Sequence, residues 1–174
     1  MNSGQNIIIT AHVRDESLFF YDWLHNNTIL IILTKPELNA YGEVFHNVCI
    51  KKNVTVYCLN QELDMSKDYK LGKREKEIID SLLSIHEDAK RVITHPKFTR
   101  ESDAQNRELF DYVAGKNLDN HYIYEKSKNP VKIDRDRKKA LMKYCMIFKN
   151  EEARVKRLQK YVGIAQKVGK LIRI

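Results

Sequence analysis

Two polar segments of the chain carry side chains that could do chemistry together. The first is AHVRDE, residues 11–16, in which His12 and Asp15 lie three residues apart in a turn that precedes a helix. An imidazole and a carboxylate at this spacing can point to one place, as a divalent ion of the zinc type requires. Two ligands do not complete a site. In the more ordinary interpretation, His12 caps a strand while Asp15 and Glu16 stabilise the first helical turn.

The second segment, residues 94–106, offers an imidazole, two carboxylates and an amide. These groups belong to His95, Glu101, Asp103 and Asn106, and they could supply a third metal ligand or a proton donor. The structural alternative is a loop histidine ahead of a proline and an aspartate that caps the next helix. The residue types alone leave both interpretations open.

Hydrophobic periodicity predicts the elements that would position these segments. Short β-branched or apolar runs alternate with amphipathic stretches, which favours a mostly parallel sheet in a Rossmann-like α/β three-layer sandwich, formed as one domain over residues 1–174. The predicted strands are 6–10, 28–34, 54–59, 91–94 and 122–124, and the predicted helices are 16–24, 36–51, 73–87 and 103–113, with one or two charged helices over 132–161 and a tail interrupted by Gly163 and Gly169. Ligands bind beyond the carboxyl ends of such strands, where both polar segments fall.

Positive charge is concentrated at the C-terminal end. The formal net charge is +8, yet residues 131–174 contain fourteen Lys and Arg against four Asp and Glu, so the first 130 residues are slightly acidic. No recognised nucleic-acid motif accompanies this segment, which makes a nucleic-acid-binding domain the weakest hypothesis. A segment covering a pocket for a phosphorylated substrate, or facing an acidic partner, explains the asymmetry better.

Cysteine usage and hydropathy narrow the class of protein further. The three cysteines are odd in number and lack CxxC spacing, which argues against a disulfide framework and for a reducing compartment. The longest apolar run, Ile29–Leu33, is far shorter than the roughly 20 residues of a membrane-spanning helix. We therefore expect no membrane span and, by default, a cytoplasmic location.

The two polar segments together resemble motifs of the PIG-L/LmbE-like metal-dependent N-deacetylases, which remove the acetyl group from acetamido sugars. The family's first motif, Ala-His-Pro-Asp-Asp-Glu after the first strand, is similar to residues 11–16. Its second motif pairs a Thr-His strand end with His-Pro-Asp/Gln-His-Arg at a helix start, and it is similar to Thr94-His95 with residues 103–107. Lys138–Tyr144 is like a C-terminal helix of the family. The resemblance covers roughly residues 5 to 150.

The resemblance implies a zinc-type ion held by His12, Asp15 and Asn106, although the family has histidine in place of this asparagine. An amide oxygen is a poorer zinc ligand than imidazole, so Asp103 or His95 would have to complete the coordination sphere. The chain therefore resembles a divergent member with altered motifs.

The resemblance also assigns catalytic positions. The family's general base falls on Arg14, which cannot accept a proton, and its histidine for the oxyanion or leaving amine falls on Asp103. Glu101 or Asp103 would then act as base or acid, while Arg14, His95 and Arg107 would contact the substrate.

Two functional hypotheses follow. One is a metal-dependent N-deacetylase acting on an acetamido sugar or nucleotide-linked sugar in glycan biosynthesis. The other is a catalytically altered, deacetylase-like protein that binds an anionic sugar derivative, because an arginine facing a phosphate or carboxylate binds it bidentately.

Overall fold

Within the described residues, six strands form one sheet. The computed structural model describes residues 4–36, 40–64, 66–97 and 103–174. The strands are β1 (Asn6–Thr10), β2 (Thr28–Thr34), β3 (Thr55–Gln61), β4 (Arg91–Thr94), β5 (His121–Lys126) and β6 (Val168–Arg173). The helices are α1 (Asp15–Leu18), α2 (Ala40–Lys52), α3 (Lys73–Ile85), α4 (Ala104–Ala114), α5 (Arg135–Cys145) and α6 (Glu151–Ala165). The sheet order is β3-β2-β1-β4-β5-β6, and only β6 pairs antiparallel.

Both faces of the central strands are buried, which is why β1 and β2 are continuous apolar runs. Successive side chains point to opposite faces, so Ile7 and Ile9 enter one core while Ile8 enters the other. Helices α3 and α4 cover the first face, and α1, α2, α5 and α6 cover the second. This arrangement confirms the predicted Rossmann-like three-layer α/β sandwich.

The order of connection places a crevice beside β1. The chain runs from β1 outward through β2 to β3 and then crosses to β4 on the other side of β1, so the direction of winding changes between β1 and β4. Open α/β sheets bind ligands at this switch point, beyond the carboxyl ends of the strands. The loops that follow β1 and β4 meet there, and they are the two polar segments.

The helix predicted over 16–24 is wrong in extent. Helix α1 has only four residues, and a separate 3-10 turn covers Tyr21–Trp23. The cause is the buried side chain of Arg137, whose guanidinium donates to the backbone oxygens of Ser17 and Leu18 at 2.9 and 2.7 Å. These bonds take the place of the next helical turn. Asp15 and Glu16 both lie in the first turn of this short helix, as the more ordinary interpretation expects.

The C-terminal segment is more regular than the sequence suggests. Gly163 lies within α6, and Gly169 lies within β6, which pairs with β5 at the edge of the sheet. The prediction of a tail interrupted at both glycines is therefore wrong. Strands β1, β2 and β4 have the predicted ends, and the remaining predicted elements are present with shifted ends. The predicted start of α2 adjoins residues 37–39, outside the described residues. In the described part of the chain, no helix has the length and apolar character needed to cross a membrane.

Candidate functional site

The two polar segments meet at the carboxyl end of β1. The first turn of α4 lies against the strand end, where the backbone N–H of Ala11 donates to the Asn106 side-chain oxygen at 2.9 Å. At the same strand end, the Thr10 hydroxyl donates to Asp15 Oδ2 at 2.7 Å. Residues about 95 positions apart in the chain therefore share one buried polar centre.

Asp15 is the buried anion of this centre. Its Oδ2 accepts hydrogen bonds from Thr10 Oγ1, the His12 backbone N–H at 3.1 Å and Asn106 Nδ2 at 3.3 Å. Burial alone would raise the pKa of this carboxyl, but its interactions with the His12 and His95 rings outweigh burial and hold the pKa well below its usual range. Asp15 is consequently ionised at neutral pH.

Acceptors face both ring nitrogens of His12. Nε2 lies 2.8 Å from Gln105 Oε1, whose orientation is fixed because the same amide donates through Nε2 to the Glu62 carbonyl. Nδ1 lies 3.1 Å from Asp103 Oδ2 and 3.6 Å from Asp15 Oδ2. Burial lowers the pKa of His12, but the hydrogen bond and charge of Asp15 and the charge of Asp103 outweigh it and raise the pKa to about 9. The ring is an imidazolium at neutral pH.

His95 lies beneath the site rather than on its surface. Its Nδ1 is 2.9 Å from the Tyr124 hydroxyl, and Phe19 and Phe20 pack edge-on against its ring. Its buried Nε2 has no hydrogen-bond partner within the described residues and lies 3.6 Å from Asp15 Oδ2. His95 therefore contacts Asp15 from below, and it lines neither of the cavities described below.

The ligand set implied by the resemblance does not fit a zinc ion at Asn106. Its carbonyl oxygen accepts the Ala11 N–H, so the amide group turns its NH2 toward Asp15. A metal ion needs a lone pair at that position and meets donor hydrogens instead. Over the described ranges, no three His, Cys, Asp or Glu side chains are arranged to hold a metal ion.

Arg14 is held in an unusual backbone conformation. Its φ is 89°, in the left-handed region that favours glycine, and its backbone N–H donates to Glu16 Oε2 at 2.7 Å. The guanidinium lies over the Tyr41 and Tyr161 rings, 5.7 and 5.0 Å from their centroids, and donates to the Tyr161 hydroxyl at 2.8 Å. The position that the resemblance assigns to the general base therefore carries a fixed cation.

Glu16 anchors this turn from inside the core. Besides the Arg14 N–H, its carboxylate accepts the hydroxyls of Ser17 and Tyr144 at 2.7 and 2.6 Å. Burial raises the pKa of Glu16, although these hydrogen bonds oppose the shift. Tyr144 belongs to the C-terminal segment of the resemblance, which gives that segment a structural task in supporting the first motif.

Two cavities open around Arg14, and His12 lines both. The β3-side cavity, of about 340 Å³, is lined by the ends of β2 and β3 together with Lys35 and Tyr41. The α6-side cavity, of about 690 Å³, is lined by Asp15, Asp103 and the facing side of α6. Both volumes are in the usual range of ligand pockets, about 300–1,000 Å³.

The remaining candidates take different places. Asp103 caps α4 through Oδ1, which accepts the Asn106 N–H at 2.9 Å, and its Oδ2 faces His12. The capping interpretation of Asp103 is therefore confirmed, and its role in the site stays a prediction. Arg107 lies in α4 and lines neither cavity, and Glu101 lies outside the described residues.

Three residues of the site have no prediction from the sequence that places them there: Gln105, Tyr41 and Tyr161. Gln105 follows a candidate cap and fixes the His12 ring, so its place two residues after Asp103 was an available signal. The tyrosines lie far from Arg14 in the chain, and no local pattern connects them with it.

Comparison with known proteins supports the fold and identifies no family for this chain. No family model matches the chain, and no curated protein matches it. Among solved structures, the 4-carboxy-2-hydroxymuconate hydratase GalB from Pseudomonas putida KT2440 is similar with a TM-score of 0.52 and 10% identity, over 90% of this chain and 83% of that chain. At this identity the likeness shows the fold alone, and it agrees with the three-layer sandwich.

Proposed function

We propose that this protein is a catalytically altered relative of the PIG-L/LmbE-like deacetylases and that it binds an anionic sugar derivative. The observation that carries the proposal is Arg14. A cation replaces the base in the first motif, in a backbone conformation that disfavours any side chain, and it lines both cavities. Strained residues persist where the surrounding structure holds them, and they cluster at functional sites.

The chemistry around Arg14 suits an anion attached to a sugar. A guanidinium recognises phosphate or carboxylate through paired N–H groups, and His12 presents a second positive charge to the same cavities. Tyr41 and Tyr161 flank the guanidinium and provide hydroxyls and ring faces beside it. Asn106 stands where the family has a histidine ligand, and its side-chain oxygen accepts from the Ala11 backbone N–H. This arrangement supports binding without a resident metal ion.

Calorimetry with defined ligands tests this proposal. N-acetylglucosamine 1-phosphate should bind, while neutral N-acetylglucosamine should bind at least about tenfold more weakly, because only the phosphate meets the guanidinium. The anion 4-carboxy-2-hydroxymuconate, after which the structurally similar hydratase is named, is tested as an anion that carries no sugar. The variant Arg14→Gln should remove the preference for the phosphate, and Arg107→Gln is the matched control because Arg107 lines neither cavity. Equal binding of the charged and neutral sugars would refute the proposal.

A second candidate function is the metal-dependent N-deacetylation of an acetamido sugar that the motifs resemble. It is favoured by the buried Nε2 of His95 and by Nδ1 of His12, which each lie 3.6 Å from the same oxygen of Asp15. Neighbouring ligands on a tetrahedral zinc ion lie roughly 3.3–3.6 Å apart. Under this proposal, a bound zinc ion draws His12, Asp15 and His95 into one ligand group, which these described residues do not form in this structure, and His95 replaces Asn106 as the third ligand.

Zinc binding and acetate release distinguish the two candidates. The deacetylase proposal predicts stoichiometric zinc that is lost in His95→Ala and His12→Ala, with acetate released from acetamido sugars. The binding proposal predicts that neither variant changes the metal content.

A further inference from the structure

Helix α6 and the turn that follows it bring three more cations to the cavity beside Arg14. Arg157, Lys160 and Lys167 line the α6-side cavity, and in the described part of the chain none of the three makes an ion pair. Elsewhere in the described residues, eight Lys and Arg side chains have carboxylate partners, among them Lys51 and Lys116. The cavity therefore holds unpaired positive charge, and Asp15 and Asp103 are the carboxylates that offset it among the described residues of its lining.

A neighbouring cavity extends this surface along the same edge of the sheet. It measures about 410 Å³, lies at the carboxyl end of β5, and is lined by Lys126 and Lys128. It shares Gly163 and Lys167 with the α6-side cavity. A Cβ at Gly163 would meet no atom within 4 Å, so the space at the junction is open.

From this arrangement we propose that the α6 face is a phosphate subsite for a ligand with a phosphate or diphosphate group next to its sugar. The proposal rests on the proposed function in one respect: Arg14 and His12 hold the sugar-proximal part of the same ligand. Arg157 provides a planar fork for phosphate oxygens, while Lys160 and Lys167 act as point charges. The C-terminal excess of Lys and Arg thus supplies a ligand subsite at these three positions.

Arg157 is already oriented for such a contact. Its guanidinium carbon lies 5.1 Å from the Phe148 ring centroid and 5.9 Å from that of Tyr161. Tyr161 in turn accepts the hydrogen bond from Arg14, so one tyrosine links the two arginines. Aromatic packing limits the freedom of the guanidinium and lowers the entropy lost when an anion binds.

Titration with inorganic pyrophosphate tests the subsite apart from the sugar. The unmodified protein should bind pyrophosphate, with an affinity that falls as salt rises from about 50 to about 300 mM. The double variant Arg157→Gln/Lys160→Gln should bind about tenfold more weakly or worse. The control Lys149→Gln/Lys156→Gln removes the same charge at exposed positions outside both cavities and should stay within about twofold. Equal losses in both double variants would overturn the subsite and leave only general electrostatic attraction.

Gly163 provides an uncharged test of the junction. Gly163→Ala has room and should keep pyrophosphate affinity, whereas Gly163→Phe places a ring in the shared space and should weaken it severalfold. Unchanged binding in Gly163→Phe, with the fold intact by circular dichroism, would contradict the extended subsite.

The outcomes separate this proposal from the proposed function. Sugar-phosphate binding that depends on Arg14 but not on Arg157 and Lys160 would sink the subsite and leave the sugar site standing. Pyrophosphate binding that depends on Arg157 and Lys160, without tighter binding of the sugar phosphate, would support the subsite and refute the sugar site. A single-stranded RNA oligonucleotide that binds more tightly than pyrophosphate through the same residues would overturn the subsite in favour of a nucleic-acid surface.

Discussion

Replacing Arg14 with glycine relieves backbone strain but removes side-chain contacts. The sign of the change in the free energy of unfolding shows which of the two effects is larger. At a φ of 89°, a side chain costs about 1–2 kcal/mol relative to glycine, so Arg14→Gly should recover that energy. The variant also loses a charged hydrogen bond to Tyr161, worth about 1.5–3 kcal/mol, and two cation–π contacts, worth about 0.5–1 kcal/mol each when partly exposed.

The losses exceed the gain. With the lower values for the partly buried guanidinium, the lost contacts amount to about 2.5–3.5 kcal/mol, and the relieved strain returns about 1–2 kcal/mol. We therefore expect Arg14→Gly to lower the free energy of unfolding by about 0.5–2.5 kcal/mol. Asn117→Gly is the matched control, because Asn117 is exposed and also has a positive φ, 52°, and this variant should change stability by less than about 0.5 kcal/mol.

Urea unfolding followed by the fluorescence of Trp23, the one tryptophan of the chain, measures the stability. Calorimetry with N-acetylglucosamine 1-phosphate measures the affinity, which should fall at least about tenfold in Arg14→Gly. An Arg14→Gly protein that is more stable by the full strain energy and binds the ligand unchanged would refute the reasoning. Arg14 would then neither hold α6 nor contact a ligand.

Three further predictions concern the supporting structure. Burial lowers the pKa of His121 to about 4, below its unfolded value of 6.5, so its contribution to stability is fully present above pH 6.5 and is lost as the pH falls towards 4. Between pH 7 and pH 5, the free energy of unfolding should therefore drop by about 2 kcal/mol more in the unmodified protein than in His121→Gln, and parallel pH profiles of the two proteins would contradict this. Arg137→Met leaves two backbone carbonyls and Asp22 without their partner and should cost about 3 kcal/mol by urea unfolding, whereas the exposed control Lys138→Met should be neutral. Asn106→His restores the imidazole of the second motif and should tighten zinc binding at least about tenfold in a competition titration; an unchanged affinity would show that the site cannot form a third ligand there.

The sheet could be predicted because its central strands carry their own signal. Continuous apolar runs such as Ile29–Leu33 indicate strands buried on both faces, and alternation with helices indicates parallel pairing. Strand β6 gives no such signal, since it is a half-buried edge strand with Gly169 inside it. The early end of α1 depends on Arg137, about 120 residues away, so no local pattern contains it.

The site was predictable in the same partial way. The positions of His12, Asp15 and Asn106 follow from the rule that loops converge at the carboxyl ends of strands. The side-chain oxygen of Asn106 is occupied by a hydrogen bond from the Ala11 backbone N–H. The Arg14 guanidinium is oriented by its hydrogen bond to Tyr161, which lies 147 residues later in the chain. Residue types identified the candidates, but tertiary contacts decide whether each one is a ligand, a support or a fixed charge.

The most direct test of the central claim is the affinity for N-acetylglucosamine 1-phosphate, measured with a chelator present and again with added zinc. If Arg14 and the strand-end site bind an anionic sugar without a metal ion, the two affinities agree and no acetate appears in either sample. Binding that requires zinc, or acetate released when zinc is added, would contradict the claim and favour the deacetylase.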